Sequence, residues 1–124
     1  MRVLVVDGAN VVGSRPDGWW HDRAGAARRL QQRLVAATLS YDEVVLVLEG
    51  AAKRGGPARQ QGSVRTVHAA GSGDDAIVDE VSRQVGDDGH AVTVVTADRG
   101  LRERVQAAGG TTTGPEWLLT QLSP

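Results

Sequence analysis

Cysteine is absent from the 124 residues, which excludes disulfides and thiolate metal sites, so any metal must be held by oxygen or histidine and a hard cation is favoured. No apolar run approaches the roughly 20 residues a spanning helix requires, and "RVLVVD" is too short for a signal peptide, so no membrane partner and a cytoplasmic location are the default expectation. Aromatic residues make up only 3% of the chain, yet two of the three tryptophans, Trp19 and Trp20, stand side by side in "PDGWWHD". An excess of charge of either sign is lacking too: 14 basic and 15 acidic residues leave a net charge of -1, which argues against a strong global pull on nucleic acid and leaves room for a local basic surface. Lys53 is the only lysine, and the basic residues cluster as Arg23, Arg28, Arg29 and Arg33, then Lys53, Arg54, Arg59 and Arg65.

What is present alternates strand with helix. "RVLVVD" (2–7) and "EVVLVLEG" (43–50) are short, Val/Leu-rich and closed by turn residues, as buried strands are. Between them Leu30, Leu34, Ala37 and, less regularly, Leu39 recur at helical spacing behind a capping Asp22. The glycine-rich, basic stretch 51–62 predicts a surface loop, "SVRTVHA" a third strand, and the pattern Ile77, Val78, Val81, Val85 a helix starting at Asp74 or Asp75. "HAVTVVTAD" predicts a fourth strand, "RGLRERVQAAGG" a helix closed by Gly109, "TTTG" a stub of fifth strand and "PEWLLTQL" a last helix with Pro115 in its first turn. This alternation predicts one domain, 1–124, of α/β class: a Rossmann-like three-layer α/β/α sandwich with a mainly parallel sheet of about five strands.

In such sheets ligands bind beyond the carboxyl ends of the strands, and there this chain is acidic. Asp7 ends the first strand, Glu49 the second, Asp74 and Asp75 open the helix after the third, and Asp98 follows the fourth. Singly, each has a structural explanation: Asp7 and Asn10 suit an Asx-turn, and Asp74 and Asp98 suit helix caps. Jointly, neighbouring carboxylates repel unless a cation sits between them, and oxygen-only donors favour Mg²⁺ or Mn²⁺. Such an ion lowers the pKa of bound water and neutralises charge building on a phosphodiester, so phosphodiester hydrolysis is the chemistry that fits.

"VVDGANVVGS", then "GDDAIVDEV", then "VVTADRGLRERV" and "GG", in that order and spacing, resemble the NYN domains of the PIN-like nuclease superfamily, including the YacP-like group. The resemblance covers essentially the whole chain. It implies a PIN-like fold and a metal-dependent ribonuclease in which Asp7 is the first-strand metal ligand and Asn10 helps position substrate or metal. It further implies Asp74 or Asp75 as the helix-borne acid, and Asp98 as the late acid with Thr96 orienting it. Glu49 departs from the pattern, since an aspartate is more usual near the end of the second strand. The expected set is therefore Asp7, Asp74, Asp75 and Asp98 as catalytic acids, with Asp7, Asp74, Asp98 and Glu49 on Mg²⁺ or Mn²⁺. Asn10, Thr96, Arg54, Arg59, Trp19 and Trp20 complete it on the RNA, with Arg54 and Arg59, or the Arg28 and Arg29 face, along the backbone and the tryptophans stacking on bases.

Other carboxylate folds fit less well. A haloacid-dehalogenase-type phosphatase needs a second aspartate where Ala9 stands, a phosphoreceiver needs a late lysine, and "DGANVVG" lacks the G-x-G-x-x-G of a dinucleotide fold. Ser72 has no histidine at triad spacing, and His21, His68 and His90 suggest no ligand set. The alternative function is a nucleic-acid-binding or interaction module that kept the fold and lost turnover, motivated by Glu49, the near-neutral charge and the small size. A homodimer would extend the surface available to a long RNA strand.

Overall fold

The Val/Leu run of strand β1 (Arg2–Asp7) is buried on both faces, which puts β1 in the middle of the sheet. The computed structural model describes residues 1–122; residues 123 and 124, the end of the expected domain, lie outside the described residues. After β1 come helix α1 (Gly8–Gly13), a 3₁₀ turn (Trp19–His21), α2 (Arg23–Ala36) and β2 (Glu43–Leu48). A second 3₁₀ turn (Gly50–Arg54), β3 (Gln60–Gln61), β4 (Val64–His68) and α3 (Gly73–Ser82) follow, α3 widening into a π-helical turn at Arg83–Asp87. The chain continues through β5 (Ala91–Val95), α4 (Arg99–Ala107), β6 (Thr111–Thr113) and α5 (Pro115–Leu122).

The sheet order is β3-β4-β2-β1-β5-β6, with every pairing parallel except β3 against β4. This is the expected Rossmann-like α/β/α fold with six strands in place of about five. The extra strand is the two-residue edge pairing of Gln60 with Arg65 and Gln61 with Val64, too short to leave an alternation in the sequence. Without it the order reads third-second-first-fourth-fifth, so the crossover direction reverses between β1 and β5.

Period-2 alternation divides the core into two layers. Leu4, Val6, Val44, Leu46 and Leu48 pack with Val11, Ala27, Leu30, Leu34 and Leu118 from α1, α2 and α5. Val3, Val5, Val45 and Val47 pack with Ile77, Val81, Leu101 and Val105 from α3 and α4. Each fully buried Val, Leu or Ile contributes about 1.5–3 kcal/mol.

Three local expectations are corrected. The segment 51–62 is not a plain surface loop: Gly55 and Gly56 are buried against α2, where the Gln31 amide donates to Pro57 O at 3.3 Å and to Thr66 Oγ1 at 2.8 Å. Helix α2 ends at Ala36, so Ala37 and Leu39 of the apolar series lie beyond it, Ala37 being extended. Helix α3 begins at Gly73 under a Ser72 cap, because the hydroxyl accepts from Asp75 N at 3.4 Å; Asp74 and Asp75 therefore occupy its first turn rather than its cap. The Asp22 cap of α2 is as expected, accepting from Gly25 N at 2.8 Å. Among the described residues no helix is long and apolar enough to cross a membrane.

Candidate active site

Asp7 continues the row Val3 and Val5, and Glu49, still extended, continues Val45 and Val47; alternation therefore sends both carboxylates off the sheet on the side covered by α3. β1 does not hand over to a loop. It passes directly into α1, and Asp7 caps that helix, its Oδ1 accepting from Asn10 N at 3.3 Å. The sharp entry requires glycine at position 8, since a Cβ there would lie 2.6 Å from Val47 O.

Val6 pairs with Val95 in register, which carries Thr96 beside Asp7 across the switch point. The fully buried Thr96 hydroxyl donates to Asp7 Oδ2 at 2.9 Å and accepts from Asp98 N at 3.2 Å. Thr96 thus orients the Asp7 side chain and holds Asp98 only by its backbone, a correction to the expected Thr96–Asp98 pairing. Asn10 Oδ1 accepts from Ala97 N at 2.8 Å, locking α1 to the end of β5, and Asp98 Oδ1 caps α4 by accepting from Leu101 N at 2.8 Å. Two further positioning groups gave no sequence signal. Arg102 Nε donates to Thr96 O at 2.8 Å, and Gly73 N donates to Glu49 Oε2 at 2.9 Å. A Cβ on Gly73 would stand 2.9 Å from Glu49 Oε1, so glycine is what lets the carboxylate reach the start of α3.

Electrostatics groups these acids. Burial pushes Asp7 above the usual carboxylate range against its hydrogen bonds from Thr96 and Asn10, and the charges of Asp74 and Glu49 push it further. Partial burial raises Asp74 as well, with Asp98, Glu49 and Asp75 adding repulsion and Arg104 offsetting part of it. Among the described residues none of Asp7, Glu49, Asp74 and Asp98 is in an ion pair. Asp75 is different: it is exposed and pairs with Arg104 of α4 at 2.9 Å, so unlike the other four acids it is committed to a protein cation, against its expected catalytic role.

Hard oxygen donors outside any ion pair suit Mg²⁺ or Mn²⁺ in kind. Yet among the described residues no three carboxylates or histidines stand close enough to hold an ion outright, so the expected four-acid ligand set is looser than the sequence implied. Mg²⁺ usually takes one or two carboxylates and keeps several waters, which this arrangement accommodates.

The basic and aromatic candidates separate in space. Trp19 lines a groove of about 390 Å³ with Gly8, Val12, Arg23, Leu48 and Glu49, beside the acids. Trp20 is 53% exposed and is not part of that groove. Arg54 and Arg59 line a second groove of about 500 Å³ with Arg28 and Gln31, further along α2; they are not brought to the carboxylates. Arg65, grouped with them by sequence, is instead paired to Glu43 at 3.5 Å and Glu80 at 2.7 Å. His68 is occupied too, its Nε2 donating to Gly56 O at 2.6 Å.

No protein-family model matches the chain, and no curated protein matches it. Among solved structures the chain is similar to Rae1 (YacP) from Bacillus subtilis, with a TM-score of 0.71 and 18% identity, covering 98% of this chain and 75% of that one. The fold is therefore YacP-like.

Proposed function

We propose that this chain is a ribonuclease of the NYN/PIN-like type, hydrolysing RNA phosphodiester bonds with Mg²⁺ or Mn²⁺ at the rim formed by Asp7, Glu49, Asp74 and Asp98. The observation that carries the reading is the convergence of four carboxylates, from the ends of β1, β2 and β5 and the start of α3, on one rim at the switch point, none of them in an ion pair among the described residues. The YacP-like fold and the spacing of "DGAN", "GDD" and "TADR" support it.

Held by Asp7, Glu49, Asp74 and Asp98, a divalent ion would supply a Lewis acid for the phosphodiester and would lower the pKa of water. The chain's own groups do the rest. Thr96 and Asn10 N–H fix the Asp7 carboxylate, and Gly73 N–H fixes Glu49. The groove of Arg28, Arg54 and Arg59 gives the RNA backbone a basic path away from the rim, because α2 runs antiparallel to the strands it covers and carries Arg23 at the rim and Arg33 roughly 15 Å further along. In the net reaction a water oxygen bonds to phosphorus, one P–O ester bond breaks, and the departing sugar oxygen takes up a proton.

Cleavage of single-stranded and structured RNA with added Mg²⁺ or Mn²⁺ tests the reading. Loss of cleavage in EDTA and in Asp7→Asn and Asp98→Asn is expected; activity unchanged by any of these would overturn it. The absence, among the described residues, of a closed three-ligand cluster favours one competing reading, an RNA-binding module without turnover. Tight RNA binding with no cleavage under either metal would establish that reading instead.

A further inference from the structure

We propose that the Trp19 groove is a subsite for one unpaired nucleobase next to the scissile phosphate, so that the substrate is a single strand with a base turned out of its stack. This rests on the ribonuclease reading of the adjoining carboxylates. The groove lies between α1, the first 3₁₀ turn, α2 and the end of β2, and its residues Gly8 and Glu49 also border the acidic rim. Its volume, about 390 Å³, falls in the roughly 300–1,000 Å³ range of small-ligand pockets.

Its lining is chiefly apolar and includes Val12, Ala27, Leu48 and Trp19. The Arg23 guanidinium stands 5.3 Å over that ring and is in no ion pair among the described residues. Flat surfaces of this kind, an aromatic ring and an arginine plane, are what unstacked bases pack against. Glu49 borders the groove where it meets the rim, and its carboxylate only accepts hydrogen bonds. It repels a free anion and suits a neutral heterocycle with an N–H edge, which every nucleobase has. A base still paired in a duplex cannot enter without leaving its stack.

The wall is rigid as well as aromatic. Asp22 N donates to Trp19 O at 3.2 Å, and the same Asp22 caps α2, so the turn that bears Trp19 is tied to the helix that carries Arg23. Trp20 meets Trp19 edge-on at 6.1 Å and braces it from outside.

Anisotropy of a fluorescein-labelled single-stranded decaribonucleotide, read in EDTA on the Asp7→Asn protein, separates base binding from cleavage. The base-bearing decamer should bind about tenfold more tightly than an abasic decamer carrying the same phosphates. Adding Trp19→Ala should reduce that preference to within about twofold, and Trp19→Phe should keep most of it. Equal affinity for the two decamers, which needs no Trp19 variant to measure, overturns the subsite, as does a preference unchanged by Trp19→Ala. Metal-dependent cleavage by the wild-type chain without any base preference sinks the subsite and leaves the nuclease reading standing. A Trp19-dependent preference without cleavage does the reverse.

Discussion

The Thr96 hydroxyl donates to Asp7 Oδ2 at 2.9 Å, joining the ends of the two strands between which the crossovers reverse. Both residues are buried, so the bond holds a carboxylate whose charged form is already disfavoured by burial. Thr96→Val keeps the shape and removes the donor. We expect it to cost about 1–3 kcal/mol of stability and to lower metal-dependent cleavage, with Thr96→Ser restoring most of both in thermal melts and RNA cleavage assays.

Asp7 itself should be a stability liability without metal. An acid whose folded pKa is raised binds protons more readily when folded, so its contribution to stability falls as pH rises through that range. At pH 7 and without metal, Asp7→Asn should therefore melt at or above the wild-type temperature. Added Mg²⁺ should raise the wild-type Tm and leave that of Asp7→Asn in place. A metal-free Tm well below wild type would contradict this account of the site.

The neighbouring acids of α3 should differ in effect. Asp74 is coupled to Asp98 and Glu49, whereas Asp75 is committed to Arg104 at the surface. Asp74→Asn should lower cleavage at saturating Mg²⁺ by at least about tenfold, or 1.4 kcal/mol of transition-state stabilisation. Asp75→Asn should have the smaller effect and cost no more than about 1 kcal/mol of stability. A larger kinetic loss for Asp75→Asn would reverse the assignment.

Acid sensitivity should originate at the opposite end of the sheet. Burial alone would raise Glu80, but hydrogen bonds from Arg65 and Gln84 and the charges of Arg65 and Arg83 outweigh it and hold its carboxyl below the ordinary range. Stability from this group is present above the unfolded pKa, near 4.5, and is lost as pH falls through the lower folded value. Glu80→Gln should destabilise the fold at pH 7 by about 1–3 kcal/mol and flatten the loss of Tm below pH 4.5. A Tm profile in acid identical to wild type would exclude Glu80 as its source.

Gly8→Ala tests the strand-to-helix entry without touching a charge. Its methyl would sit 2.6 Å from Val47 O, a backbone atom that cannot move without disturbing β2. A loss of about 1–3 kcal/mol is expected in denaturant unfolding, and wild-type stability would show that α1 can shift.

The sequence by itself carried the α/β alternation, because buried parallel strands must be short Val/Leu runs and the helices over them must show one apolar stripe. It also placed Asp7, Glu49 and Asp98 at strand ends, since a carboxylate closing such a run has nowhere to sit but the rim. Two things were out of its reach. Short elements such as α1 and β3 leave no period to detect, so the Asp7 cap of α1 and the sixth strand emerged only in the fold. Partner choice was the other: Thr96 turning to Asp7, Asp75 to Arg104, Arg65 to Glu80, and Trp19 but not Trp20 to the groove. Sequence spacing fixes neighbours within one element, whereas these contacts depend on the register of β1 with β5, the first residue of α3 and the packing of α2, and those are set by the tertiary fold.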